Sequence, residues 1–228
     1  MSSVEKTLPT NQTRATVRRF FARIGYAYLL GMSTAVFGIA FDIVFSPDRK
    51  LLTLIGGAAG ALALMVILNT VSIAIVTFTV HQDTSIRPPW WVMPAAMGLL
   101  AGLLMVVLHM VGITEAYDKE TSAFVVENET SAFVVGAIAG LAVGAAYALS
   151  IPGIRQDVLT KQAWRSTIIG GVIGVQYGTY WLIREASSGR PIQIYNMLAS
   201  IIAAPVFVIT LLLSFVIGIE LGDRYVER

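Results

Sequence analysis

Five polar side chains lie inside otherwise apolar stretches of this sequence, where they could take part in ion or proton chemistry: Asp42, Asn69, Gln176, Tyr177 and Glu220. Asp42 and Glu220 lie near the ends of their stretches, so we expect them to reach water by snorkelling rather than to couple to an ion. The other three lie nearer the middle, where amides and phenols usually bond neighbouring membrane helices. If a polar pathway crosses the protein, we expect these residues to line it: Asp42, Asn69, Gln176 and Tyr177.

Motifs of the common enzyme classes are absent from the sequence. It has no HExxH, no GxSxG, no P-loop and no cysteine. The two histidines, His81 and His109, are predicted to lie near opposite membrane faces, which disfavours a haem held by both. We therefore expect no catalytic residue, no cofactor and no metal site. Nucleic acid is not an expected partner either, because no folded basic domain is available to bind it.

The elements that carry these side chains are long apolar blocks. The chain has 228 residues, of which 56% are hydrophobic and 13% charged, and it leaves little for a soluble domain. Blocks of about 18 or more apolar residues are typical of membrane helices. Six are found, at about 24–46, 51–80, 91–113, 131–152, 167–183 and 197–220. The sequence predicts an all-α integral membrane protein, a bundle of six transmembrane helices over residues 24–221.

Basic residues indicate how this bundle is oriented. With six spans, eleven of the sixteen lysines and arginines fall on one side, which the positive-inside rule makes cytoplasmic. Residues 1–23 then form a basic cytoplasmic segment, and 222–228 form a short cytoplasmic tail. The expected location is the plasma membrane, with both termini cytoplasmic. The mitochondrial inner membrane is the alternative, because the arginine-rich, acid-free stretch from Thr13 to Gly25 resembles a transit peptide.

Glycine spacing gives the strongest packing signal. The fourth block contains Gly136, Gly140 and Gly144, and the fifth contains Gly170, Gly174 and Gly178. A four-residue spacing places small residues on one helical face, so that two backbones can approach closely. We expect glycine-zipper packing of helices 4 and 5, either on each other as a close hairpin or on a second copy of the chain.

Two similar segments raise the possibility of an internal repeat. "LIGGAAG" at 54–60 in the second block matches "IIGGVIG" at 168–174 in the fifth. Two halves of three helices would be inverted relative to each other, as in many transporters and channels. Asn69 and Gln176 would then lie in corresponding helices. The alternative is chance, because the same few apolar residue types dominate both segments.

A duplicated stretch, "ETSAFVVENETSAFVV" at 120–135, lies where the fourth block begins. Its copies are offset by nine residues, which turns corresponding side chains to opposite faces of a helix or strand. We expect the first copy to be outer loop and the second to open the fourth helix, with Thr130 or Ser131 as N-cap.

The sequence predicts helix faces that are suited to tight packing, and it leaves little for a soluble domain. This combination favours one functional class. We expect a non-enzymatic accessory, assembly or scaffold subunit of a membrane complex, embedded in the lipid bilayer as a homo-oligomer or with other membrane subunits. The alternative is a small transporter or channel built from two inverted three-helix halves.

Overall fold

All secondary structure in the described part of the chain is helical, which confirms the predicted all-α class. The computed structural model describes residues 9–45, 51–80, 90–112, 128–150, 159–187, 189 and 191–228. Six helices follow one another: α1 (Pro9–Phe45), α2 (Leu51–Ile75), α3 (Val92–Met110), α4 (Glu129–Ser150), α5 (Leu159–Ser187) and α6 (Ile194–Glu227). A π-helical turn, Val76–Val80, continues α2, and a second, Ala199–Ala203, interrupts α6.

Four of these helices are long and apolar enough to cross a membrane: Thr13–Phe45 of α1, then α3, α4 and α6. A shorter apolar segment, Leu62–Phe78, covers most of the second predicted span. The α5 helix has the length but not the hydropathy, because polar and hydroxyl-bearing side chains such as Gln176, Tyr177 and Thr179 crowd its second half. Helices of this length and composition indicate a membrane protein.

Two helix starts differ from the sequence prediction. The α1 helix begins at Pro9, well before residue 24, so residues 9–23 of the basic segment form one helix with the first apolar stretch. The N-cap of α4 is Asn128, not Thr130 or Ser131. Its side-chain oxygen accepts the Ser131 N–H at 2.9 Å, and Ser131 Oγ accepts the Asn128 N–H at 3.1 Å. This reciprocal pairing satisfies two N–H groups at the helix start. The first copy of the duplicated stretch lies outside the described residues.

Helices that follow one another in pairs run antiparallel. In the α1–α2 pair, Phe20 contacts Phe78 and Thr34 donates a hydrogen bond to Met65, so the start of α1 lies beside the end of α2. The start of α1 also lies beside the end of α6, where Arg23 bonds Asp223. We call this the basic end of the bundle, because every arginine of α1 and α6 lies there, together with Arg228, which follows α6: Arg14, Arg18, Arg19, Arg23, Arg224 and Arg228.

The glycines of α4 face α3. A Cβ added to Gly144 would lie 2.6 Å from the Cα of Pro94, and one added to Gly140 would meet the Met97 backbone. From the other side, a Cβ on Gly98 would lie 3.0 Å from the Leu141 side chain. The two helices therefore approach closely along a face that is lined by small residues in both.

The glycines of α5 face α6 in the same way. A Cβ on Gly170 would lie 2.8 Å from the Cα of Ile209, and one on Gly174 would lie 2.9 Å from the nitrogen of Pro205. In the described residues the glycine runs of helices 4 and 5 therefore face α3 and α6 and not each other, so the expected close hairpin through these glycines is not seen. Four-residue spacing shows which face of a helix is small, but it carries no information about which neighbour fills that face.

The α6 helix is the centre of the bundle. On a face away from α5 it packs on α1, where a Cβ on Gly218 would lie 2.8 Å from the Cα of Ala27. A Cβ on Gly222 would likewise lie 2.6 Å from the backbone nitrogen of Arg23. This helix also contacts α2 and α4, and its Leu211 and Phe215 are fully buried in the shared core. The α6 helix therefore joins the α1–α2 pair to the α3–α4 pair and to α5.

Two glycines of α5 offer a matched test of this close approach. Gly174→Ala places a methyl against the Pro205 backbone and should lower the free energy of unfolding by about 1–3 kcal/mol, because α5 and α6 must separate. Gly171→Ala meets only the Ile209 Cδ1 at 3.8 Å and should be neutral or slightly stabilising. Thermal unfolding of the detergent-solubilised protein measures both. Equal stability of the two variants would contradict the packing of α5 on α6.

Candidate functional site

Asn69 lies at the centre of a buried polar group that links three helices. Its Nδ2 donates to Ser214 Oγ of α6 at 3.0 Å, and the Tyr147 hydroxyl of α4 donates to its Oδ1. Ser214 Oγ in turn donates to the Leu211 carbonyl at 2.8 Å. We call Asn69, Tyr147 and Ser214 the core triad; all three are buried.

Apolar packing fixes the triad in place. The edge of the Tyr147 ring meets the Phe215 ring, with centroids 4.7 Å apart and planes at 83°. Within the bundle the amide oxygen of Asn69 and one of its two N–H groups are therefore already bonded to protein groups. Such bonds hold membrane helices together with modest energy, roughly 1 kcal/mol each. The triad therefore acts as a link between α2, α4 and α6.

The second polar group lies at the basic end and contains a fully buried arginine. The Arg23 side chain is 0% exposed, and its Nε and Nη2 donate to the two carboxylate oxygens of Asp223, each at 2.8 Å. Its Nη1 donates to the Thr77 hydroxyl at 2.8 Å, in the π-helical turn that ends α2. Arg19 lies 3.4 Å from the same carboxylate. We call Arg19, Arg23, Thr77 and Asp223 the arginine cluster.

Within this cluster Arg23 and Asp223 form a bidentate pair, which is the geometry that guanidinium and carboxylate groups prefer. The glycine face of α6 makes it possible, because Gly222 lets the α1 backbone approach next to Asp223. Sequence reasoning missed the cluster, since its charges are 200 positions apart in the chain. The available signal was the four-residue spacing of Gly218 and Gly222, which marks that end of α6 as a packing face.

The third polar group lies at the end of the bundle opposite the basic end. The Tyr195 hydroxyl donates to Asp42 Oδ1 at 2.6 Å, and the Tyr195 ring lies 5.9 Å from that of Phe41. Asn196 Nδ2 donates to Glu185 Oε1 at 2.6 Å. We call Asp42, Glu185, Tyr195 and Asn196 the opposite-end cluster. It lies just before the π-helical turn Ala199–Ala203, and such turns are frequent at functional sites.

Gln176 and Tyr177 lie apart from these groups. Gln176 is exposed on the outer surface of α5, whereas the Tyr177 ring meets the edge of Trp181 at 5.9 Å. The position of Gln176 follows from helix geometry. It lies two residues, about 200°, from both Gly174 and Gly178, which face α6. The four predicted pathway residues therefore lie in separate environments and are not brought together.

The described residues include His109 and several carboxylates, which are side-chain types that bind metal ions. Among them, no group of three His, Asp or Glu side chains lies close enough to hold a metal ion. Asn69 and Arg23 already bond protein groups, so neither points a free ligand into a site. The geometry of the three polar groups is thus that of links between helices.

Comparison with known proteins gives no further guide, because no family model, curated protein or solved structure matches this chain.

Two carboxylates near the end of α6 provide a test of the arginine cluster. Asp223→Asn leaves the Arg23 charge buried without its partner and should lower the free energy of unfolding by about 3–5 kcal/mol. Glu220→Gln removes only a surface pair with Arg224 and should cost about 0–1 kcal/mol. Thermal unfolding midpoints in one detergent report both changes.

The double variant Arg23→Met, Asp223→Leu should recover most of the stability lost in Asp223→Asn, because no buried charge remains. Similar losses for Asp223→Asn and Glu220→Gln would show that the Arg23 charge does not depend on Asp223.

Proposed function

We propose that the chain is a six-span, non-enzymatic membrane protein that acts as an accessory, assembly or scaffold subunit of a membrane complex. The observation that carries the proposal is that the polar groups inside the bundle are bonded to one another. The core triad and the arginine cluster bond helix to helix, which supports a structural role over one in chemistry.

The proposed six spans include α2 and α5. The α2 helix packs along α1, and α5 packs along α6 from Gly170 to Gly178. Because α1 and α6 are long and apolar enough to span, their antiparallel packing with α2 and α5 supports the proposal that these two helices cross the same layer. In this proposal the basic end is cytoplasmic, with the segment 1–23 and the tail 222–228 inside the cell. The plasma membrane is the proposed location, and the mitochondrial inner membrane is the alternative.

The glycine faces support the scaffold role. Among the described residues, glycine brings the backbones of α3–α4, α5–α6 and α1–α6 close together. We propose that the runs in α4 and α5 act as glycine zippers within one chain. The bundle would then be held together from inside and would leave its outer surfaces for neighbouring membrane proteins.

Purification of the tagged protein from its native membrane in a mild detergent tests the proposal. We expect other membrane proteins to copurify in fixed ratio, identified by mass spectrometry. Asp223→Asn, which weakens the bundle, should reduce their recovery more than Glu220→Gln does. A protein that is recovered without any heterologous partner from its native membrane would contradict the subunit role.

A small transporter or channel is the second candidate, favoured by the opposite-end cluster. Asp42, Glu185 and Asn196 place two carboxylates and an amide next to a π-helical turn, and Pro205 follows that turn within α6. Interrupted helices beside polar groups recur in transporter binding sites. The neighbours of α2 and α5 weigh against an inverted repeat, because α2 packs chiefly on α1, whereas α5 packs chiefly on α6 rather than α4.

Flux into liposomes tests this second candidate. If the protein moves an ion or solute, Asp42→Asn should lower the initial rate by about tenfold, because the carboxylate that Tyr195 holds is removed. Glu220→Gln, at the basic end, where Glu220 pairs with Arg224, serves as the control with an unchanged rate. Equal rates for both variants would exclude Asp42 from any pathway.

A further inference from the structure

The outer face of α1 changes from cationic to apolar between Arg18 and Phe21. Arg14 and Arg18 are exposed, and Phe21 and Leu29 are each 65% exposed. With about 3.6 residues per turn, the exposed residues on this face form a stripe about 80° wide. We call it the α1 stripe: Arg14, Arg18, Phe21, Gly25, Leu29 and Met32. It lies on the side of α1 that faces away from α6.

Arg14 and Arg18 carry charges that the described part of the chain does not neutralise. At the basic end the Asp223 carboxylate is taken by the arginine cluster, and Glu220 pairs within α6. Among the described residues no ion pair joins Arg14 or Arg18 to a carboxylate. Arg18 lies instead over the Tyr225 ring, with its Cζ 5.8 Å from the centroid. An aromatic face holds a guanidinium in place but brings no net negative charge, so this part of the stripe is suited to bind an anion.

The apolar part of the α1 stripe indicates which kind of anion matches it. A Cβ added to Gly25 would meet nothing within 4 Å, so the stripe is flat and uncovered between Phe21 and Leu29. From Phe21 to Met32 the helix rises about 16 Å, close to half of the roughly 30 Å hydrocarbon core of a bilayer. A free phosphate would use the arginines alone, whereas a phospholipid uses the arginines and the apolar residues that continue from them.

Exposed tryptophans mark the basic end as the level of the lipid headgroups. Trp91 precedes α3 and is 55% exposed, and Trp164 near the start of α5 is 65% exposed. Both lie at the basic end, because α3 begins where α4 ends and α5 begins beside the ends of α4 and α6. Indole rings are enriched at membrane–water interfaces. This supports a place for Arg14 and Arg18 at the depth of the lipid phosphates.

We propose that the α1 stripe binds one anionic phospholipid, with its phosphate at Arg14 and Arg18 and an acyl chain along Gly25 and Met32. Guanidinium groups donate to two phosphate oxygens at once, which gives the contact its geometry. The headgroup is anionic because a zwitterionic lipid brings its own cation beside the phosphate. This site goes beyond the proposed subunit role and does not depend on it.

Lipid titration of the purified full chain tests the site. In nonionic detergent, saturating phosphatidylglycerol should raise the thermal unfolding midpoint by roughly 5 °C, and phosphatidylcholine with the same acyl chains should have little effect. The double variant Arg14→Gln, Arg18→Gln should need roughly 25-fold more phosphatidylglycerol for half of the shift, about fivefold for each arginine. Both side chains are exposed, so its midpoint without added lipid should equal that of the wild type.

The matched control removes the same charge at the basic end but outside the α1 stripe. Arg165→Gln combined with Arg224→Gln should leave the phosphatidylglycerol requirement nearly unchanged, because Arg165 lies on α5 and Arg224 pairs with Glu220. Equal weakening by the two double variants would show that the shift reflects overall charge, and would overturn the site.

Two further arms test the place of the acyl chain. Gly25→Trp should reduce the shift, because the indole occupies the space along which the chain lies. Gly38→Trp should leave it unchanged, since Gly38 is equally open but lies beyond the stripe. Inorganic phosphate, at the phosphatidylglycerol concentration that saturates the shift, should give none. An equal shift with phosphate, or equal effects of the two tryptophans, would overturn a lipid as the occupant.

The outcomes are separable from those that test the proposed function. No shift with phosphatidylglycerol would overturn the lipid site, and copurifying membrane proteins would still support the subunit role. A shift that depends on Arg14 and Arg18 in a protein without heterologous partners would support the site and contradict that role.

Discussion

Close approach of α6 to the helices around it is the constraint on which the bundle depends. Lipid supplies no hydrophobic force between helices, so backbones must come near enough for dispersion and weak polar contacts to accumulate. Here α6 meets α5 at glycines that α5 contributes, and it meets α1 at its own Gly218 and Gly222. A methyl at any of these contacts would separate the backbones. The polar groups then form where the backbones are already close: Arg23 and Asp223 beside Gly222, and Ser214 facing Asn69.

The three polar groups divide the bundle along its length. The arginine cluster joins α1, α2 and α6 at the basic end, whereas the opposite-end cluster joins α1, α5 and α6 at the far end. The core triad connects α2, α4 and α6 between these ends. All three groups include α6, and two of them lie at a π-helical turn, Val76–Val80 or Ala199–Ala203. Polar bonding and helix irregularity therefore coincide, as expected where an altered backbone geometry lets a side chain reach its partner.

Features that depend on a single segment, such as the position of a helix, could be predicted from the sequence. Features that depend on which two helices meet could not. Long apolar blocks gave the positions of the helices, because each membrane helix must satisfy its own backbone. The glycine spacing identified the small faces of α4 and α5, but α3 and α6 fill them. Counting around the helix from Gly174 would have placed Gln176 on the outer face, away from Asn69. The pair of Arg23 and Asp223 is set by the meeting of two distant helices: the spacing of Gly218 and Gly222 marks the packing face of α6 but does not identify the helix that fills it.

The central position of α6 has a consequence for biogenesis. A ribosome completes this helix after the other described helices that it contacts, so α1, α2, α4 and α5 are synthesised before the element that unites them exists. Until then Arg23 lacks Asp223, and Asn69 lacks Ser214. Synthesis of α6 supplies that carboxylate, so the buried pair of Arg23 and Asp223 can form only after α6 has been made.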